Sequence, residues 1–444
     1  MEKPSYSYRQ IWNIAYPVLL TLLIQNLIQV IDTAFLGHVG EVELGASAIA
    51  GIYYIAVFQI AFGFSTGSQI LIGRRNGEKN YDQIGQIVIG GAVFLWTMAL
   101  LIFLFTRICS ESILSRALSS KNVLQASLDY LDWRIWGIFF STTNVMFRAF
   151  FVGITRTKVL TANAILMALT NVFFDYVLIF GHWGFPAMGI GGAALASVIA
   201  EASSVLFFII YTWAAVDLKK YGFTGIILKN LRIIKSILNV SFSLMIQYFL
   251  SLSTWLIFFL AIERMGETTL AVSNIIRSFY MIIGIPVFAL SATASTLVSN
   301  SIGAGKQKEV IALIWKIARL ALCISLVFIL FLGLFPELAL SVYTSDPELI
   351  RASIPSLYVI LFVLIVLSVG NVFFQSVSGT GNTKSALFIE TTTLIVYCFW
   401  MWLVAIHLKA PLAVCWTSEL IYAVFIGTFS YIYIKRGNWE NKRI

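Results

Sequence analysis

Charge is what this sequence has least of. Asp, Glu, Lys and Arg supply 11% of its 444 residues, against roughly 25% in soluble domains, and 59% of residues are hydrophobic. That balance excludes a soluble globular protein and indicates an integral membrane protein. Histidine and cysteine are scarce too, at three and four residues. His38, His182 and His407 fall near outer loops and lack metal-ligand or acyltransferase spacing. Cys109, Cys323, Cys398 and Cys415 lack metal or redox spacing and read as apolar filler. No Walker motif is present, so the chain is not expected to hydrolyse ATP. No nucleophile or metal constellation marks an enzyme, and no cofactor is expected. A polar N-terminus with no small-residue cleavage site after the first apolar run leaves no cleavable signal peptide in prospect.

What is abundant is apolar sequence. Runs long enough to span a bilayer, about 20 residues each, recur about twelve times between residues 12 and 434. The stretch 123–151 is expected to be a single helix, the fourth. The fold class is thus an all-α integral membrane protein. The net charge of +9 follows from topology rather than from nucleic-acid binding. With the N-terminus inside, inner segments hold Arg74, Arg75, Lys79, Lys219, Lys220, Lys229, Lys435 and Arg443 among many others, Lys3 included. Outer ones hold few, chiefly Arg107, Arg116 and Lys121. The positive-inside rule then places both termini in the cytoplasm and the chain in the plasma (inner) membrane.

A shift of about 226 residues superimposes the two halves of the chain. Gly40-Glu41-x-x-Leu44-x-x-Ser47 matches Gly266-Glu267-x-x-Leu270-x-x-Ser273, and Gly153-x-x-x-Thr157-Lys158 matches Gly379-x-x-x-Thr383-Lys384. Six helices in each half make the repeat parallel. The expected organisation is a six-helix lobe at 1–214, a cytoplasmic linker at 215–232 and a second six-helix lobe at 233–444. Two such bundles are the usual hardware of alternating access.

Within this frame Asp32 stands out. A carboxylate in a membrane helix costs about 2.5–3.5 kcal/mol on insertion scales, and its repeat position is Phe258. Asp175 has Met401 at its repeat position. Both acids are expected a few residues below the outer ends of the first and fifth helices. Asn171 precedes Asp175 by one turn on the same face, and Ser197 lies one to two turns down the sixth helix. Depth alone groups Asp32, Asn171, Asp175 and Ser197. Two carboxylates close together in low dielectric resist being charged at once. The pair could carry a proton, or with amide and hydroxyl oxygens it could hold Na⁺. A blander reading puts both acids at helix ends facing the outer interface. Pro17 removes a backbone hydrogen bond from the first helix; it marks either a static kink or a hinge that responds to charge on Asp32. Glu201 is open to three roles: facing substrate, holding a second proton, or pairing with a neighbouring donor. Arg148, Arg277 and Glu390 read as structural pairs or helix-end groups, and Asp129, Asp132 and Arg134 as an interfacial charge group. Gln29 and Gln59, with Gln25, Asn26, Gln69 and Gln247, line a polar cavity or bond between helices. A 15% aromatic content is enough to build a cavity for organic cations.

Asp32-Thr33-Ala34-Phe35-Leu36-Gly37-His38-Val39-Gly40 with Leu44-Gly45-Ala46 resembles the first-helix signature of the multidrug and toxic compound extrusion (MATE) transporters, DinF-like branch. Gly73-Arg74-Arg75-Asn76-Gly77, Asn171-Val172-Phe173-Phe174-Asp175 and Gly189-x-x-Gly192-Ala193-Ala194-Leu195-Ala196-Ser197 resemble its second-, fifth- and sixth-helix motifs, and the likeness spans essentially the whole chain. The resemblance implies an efflux antiporter with a central cleft between two lobes. It implies an N-lobe cation site at Asp32, Asn171, Asp175 and the Ser197 hydroxyl, where the family more often has Thr. Pro17 matches the family's bending proline. The family's other branch has acids in the C-lobe. By the repeat, the candidate positions for them hold Phe258 and Met401, so no C-lobe cation site is expected. The resulting function is H⁺- or Na⁺-coupled export of small, amphiphilic, cationic substrates by a monomer in contact with membrane lipid and not with nucleic acid. The alternative is a flippase for a lipid-linked oligosaccharide or another amphiphile, which would need a cationic cavity; Arg148 and Arg277 are the main candidates for one.

Overall fold

In a bilayer every backbone N–H and C=O must be satisfied internally, so long apolar runs become helices. The structure, a computed structural model, describes residues 6–118, 120–223, 231–440 and 442. Lys3, Lys229, Arg443 and the 224–230 part of the expected linker lie outside them. The first half runs α1 (Tyr8–Val39), α2 (Glu41–Gly77), α3 (Asp82–Ala117), α4 (Lys121–Arg134), α5 (Gly137–Gly153), α6 (Lys158–Phe180) and α7 (Gly189–Ala215). The second half runs α8 (Leu231–Glu263), α9 (Glu267–Gly303), α10 (Val310–Leu334), a short α11 (Pro336–Leu340), α12 (Pro347–Gly379), α13 (Thr383–Met401), a π-helical continuation (Trp402–His407) and α14 (Leu412–Arg436). No strand occurs among the described residues. Eleven of these helices are long and apolar enough to cross a membrane, or up to twelve when the bent pair α4 and α5 is taken as one span.

The repeat is visible in helix lengths. α2 and α9 each have 37 residues, and each follows a glycine, Gly40 or Gly266. Gly153 at the end of α5 abuts Ile72 of α2, and Gly379 at the end of α12 abuts the Ser295 backbone of α9. The halves differ at one place. The second half spans Pro347–Gly379 with a single 33-residue helix. The first half breaks the corresponding stretch after Arg134 and bends by 52°, so the single fourth helix expected at 123–151 is two helices.

Packing divides the chain into two compact units, Leu20–Met245 on the one hand and Met1–Leu19 with Ile246–Ile444 on the other. α1 and α8 therefore each contribute residues to both, and Pro17 lies close to the point where α1 changes unit. The core of the second unit holds Phe258, Met401, Tyr397 and Trp416. It also holds Ile11, Ile14 and Ala15 of α1, packed with α9, α10 and α12. In the first unit, Leu36 of α1, Ala46 of α2, Ile179 of α6 and Ile190 of α7 share a cluster. That cluster clamps one end of α1 against α6 and α7 and so fixes the depth of the polar residues below it.

α6 and α7 meet closely. A methyl group on Gly192 of α7 would sit 2.6 Å from the Leu178 carbonyl oxygen of α6, so only glycine allows this crossing. Gly45 of α2, by contrast, has nothing near its missing side chain. Gly192→Val is therefore expected to destabilise the purified protein by about 1–3 kcal/mol, the usual cost of overpacking, while Gly45→Ala leaves it at or above wild-type stability. Thermal melting of both variants in the same detergent checks this; equal melting would refute the crossing as a constraint.

Candidate functional site

The polar residues singled out from the sequence converge in the unit Leu20–Met245. Asp175 is fully buried and Asn171 is 1% exposed; both are on one face of α6. With its amide oriented to suit its neighbours, Asn171 Nδ2 donates to Asp32 Oδ1 at 2.9 Å and to Asp175 Oδ2 at 3.2 Å. The side chains of Asp32 and Asp175 are themselves in hydrogen-bond contact. Asp175 Oδ1 is buried without a hydrogen-bond partner. Because α1 runs on to Val39, Asp32 lies about seven residues from its end, roughly 10 Å, deeper than the few residues expected. Asp175 keeps its place, about five residues before Phe180.

Asp32 and Asn171 border a cavity of about 280 Å³, whose wall also includes Gln29, Ser197 and Glu201, while Asp175 lies buried behind that wall. Ser197 thus shares the cavity with Asp32 and Asn171. Gln59 is absent from this wall, and its neighbour Phe58 is present. The reason is helical phase: adjacent residues are 100° apart on α2, and only one of them faces inward. Tyr54 and Phe58 give the cavity an aromatic side. A smaller cavity of about 120 Å³ shares Gln25, Phe58, Ser141, Met167 and Glu201 with it and extends to Asn144, Arg148 and Asn163. Asn163 Nδ2 donates to Ser204 Oγ (2.7 Å), which donates to Asn144 Oδ1 (2.8 Å).

Glu201 pairs with a donor. Arg134 grips it bidentately, Nη2 to Oε1 at 2.6 Å and Nη1 to Oε2 at 3.0 Å. The Arg134 guanidinium also lies 3.8 Å over the Tyr54 ring, whose hydroxyl meets Ser141 Oγ at 2.8 Å. Arg134 does not belong to an interfacial group, as its neighbours had suggested. The break after it lets α4 turn away while its side chain, 12% exposed, reaches α7. Asp132 and Asp129 do stay at the surface, bonded to Arg107 (2.5 Å) and Gln125 (2.9 Å). The repeat carried the missing signal: Arg134 and Glu201 fall on Ile360 and Gly427, so the second half lacks both members. Arg148 and Arg277 stack on Phe62 and Phe259, each at 5.1 Å.

Cutting one partner from a buried ion pair strands the other charge, at about 3–5 kcal/mol. Glu201→Gln and Arg134→Met should each lower the melting temperature of purified protein sharply. The double variant should recover much of the loss, as no charge is then left unpaired. Additive losses would show that the pair is not coupled.

Among known proteins, the MatE family profile matches residues 17–177 and 241–403, one stretch in each half. The chain is 24% identical over 442 residues to the Probable multidrug resistance protein NorM of Thermotoga maritima, covering 98% of this chain and 94% of that protein. It is 26% identical over 345 residues to the protein of the same name in Agrobacterium fabrum, covering 76% and 72%. Its fold matches an outward-facing multidrug resistance MATE family transporter with a TM-score of 0.88 at 16% identity, covering 98% of this chain and 96% of that one. It also matches a MOP superfamily transporter of Pyrococcus furiosus, with a TM-score of 0.87 at 16% identity and the same coverage. The two-lobe helical fold, the internal repeat and a family match over most of both halves agree: this chain is a member of the MatE family, a membrane transporter and not an enzyme.

Proposed function

We propose that this transporter exports small, amphiphilic organic cations by alternating access, in exchange for a cation that binds Asp32, Asn171, Asp175 and Ser197. The observation that carries the reading is the amide of Asn171 bridging two carboxyl groups in contact. Two carboxylates at that distance in low dielectric repel strongly unless H⁺ or Na⁺ sits with them. Asp175 Oδ1, buried and unpaired, is a free lone pair for such a cation. The Phe58 ring on the same cavity suits a flat organic cation. Supporting relatives carry multidrug resistance names.

In this scheme the lobes are residues 1–214 and 233–444, joined by the linker 215–232. The protein works as a monomer in the plasma membrane with both termini in the cytoplasm. Pro17 lets α1 bend as the charge on Asp32 changes. A flippase for an anionic lipid-linked oligosaccharide fits less well, because the cavity presents acids and its Arg134 is already neutralised by Glu201.

Asp32→Asn keeps shape and hydrogen bonding but removes a charge. The variant is expected to insert and fold, and to leave cells as sensitive to ethidium as cells without the transporter. Wild-type resistance in that strain, at matched expression, would overturn the assignment. The coupling ion is read by adding ethidium to purified protein in weakly buffered solution. Proton release independent of Na⁺ marks H⁺ coupling; Na⁺-dependent ethidium binding with no proton release marks Na⁺ coupling.

A further inference from the structure

The second unit contains two acids that the coupling site does not use. Glu390 on α13 and Glu419 on α14 are 1% and 3% exposed. They are arranged reciprocally. Glu390 accepts from the Tyr422 hydroxyl of α14, at 3.2 Å to each carboxyl oxygen. Glu419 accepts at Oε1 from the Tyr397 hydroxyl of α13 at 3.0 Å. Ser251 of α8 donates to Glu390 Oε1 at 2.5 Å, and the Tyr280 side chain of α9 faces Glu419. Helical spacing builds this arrangement: Glu390 and Tyr397 are two turns apart on one face of α13, and Glu419 and Tyr422 one turn apart on one face of α14.

Among the described residues, the side-chain donors to these carboxyls are all neutral hydroxyls. Among the described residues no ion pair reaches either glutamate, and Arg277, one turn from Tyr280, lies over the Phe259 ring. Gln247 sits one turn before Ser251 on the same face of α8. It is 3% exposed, and its Oε1 has no hydrogen-bond partner. Among the described residues neither glutamate therefore has a fixed cation as partner. A buried carboxylate without a counter-charge is expensive, and so is an unpaired acceptor. A proton neutralises such a carboxyl and turns it into a donor. At the repeat offset the two glutamates fall on Ala164 and Ala193, so the acids are not needed for the fold the halves share. They also differ in place from the repeat equivalents of Asp32 and Asp175. Those equivalents, Phe258 and Met401, pack in the same core, with Phe258 4.8 Å from the Trp416 ring.

We propose that Glu390 and Glu419, linked through Tyr280, Tyr397 and Tyr422, form a second proton site in the unit Ile246–Ile444, which binds and releases a proton during transport. The site is independent of the Asp32 site and stands without it.

Infrared difference spectra of the full-length protein in lipid, taken between acid and alkaline pH, test this directly. The wild type should lose a carboxylic C=O band on alkalinisation. The band should disappear in the Glu390→Gln/Glu419→Gln double variant and persist in Asp32→Asn, so the two sites are read separately. A pH-dependent spectrum that the double substitution leaves unchanged overturns the proposal. So does a change that follows Na⁺ and not pH. Transport supplies the second arm: in proteoliposomes the double variant should show a flattened pH dependence of ethidium uptake. A wild-type pH profile would mean that the glutamates only hold helices together. Should the double variant fail to fold, Tyr422→Phe serves in its place. Loss of one hydroxyl donor should move the Glu390 part of the band to higher frequency, and an unmoved band counts against the site.

Discussion

A carboxyl group inside a bilayer has to be paired with a cation, protonated, or surrounded by donors, because solvent is not there to screen it. This problem is solved differently at each buried acid. Glu201 is paired: α4 stops at Arg134, and the guanidinium there reaches Glu201 on α7. Asp32 and Asp175 are set against each other with Asn171 bridging them, and Arg134, the cation on the same cavity wall as Asp32, is already paired with Glu201. Glu390 and Glu419 are wrapped in hydroxyls. A fixed ion pair makes a permanent joint, whereas the other two arrangements leave room for a mobile cation.

The two halves share a scaffold and differ in chemistry. Close glycine crossings recur at Gly153 and Gly379, and the long helices α2 and α9 match in length. These positions serve packing, which both halves need equally. The ionisable residues follow no such rule. Arg134, Glu201, Asp32 and Asp175 have apolar or glycine counterparts, and Glu390 and Glu419 have alanines. The stretch that is broken and bent in the first half is one continuous helix in the second, where Ile360 stands in place of Arg134.

Much of this was legible in the sequence because the bilayer imposes a simple rule on it. Low charge and apolar runs of spanning length fixed the all-α membrane class, and matched glycine motifs disclosed the repeat. The one-turn spacing of Asn171 and Asp175 put them on a shared face. Legibility failed where a residue's role depends on a distant partner. Arg134 looked interfacial beside Asp129 and Asp132, since one-dimensional charge clustering says nothing of a helix break. Gln59 looked like a cavity residue, yet its neighbour Phe58 has the inward phase. Glu390 was one acid among several until Tyr422, Ser251 and the second glutamate came round it.

The sequence by itself therefore determined that the chain spans a membrane, that it is doubled, and which residues are too costly to be there without a partner. Composition and period are local quantities, and the energetic cost of burying a charge depends on residue type. Which carboxyl meets an arginine, which meets another carboxyl and which meets tyrosines was decided by tertiary structure alone. Those contacts join helices far apart in the chain, and a shift of one residue, 100° around a helix axis, is enough to replace one partner with another.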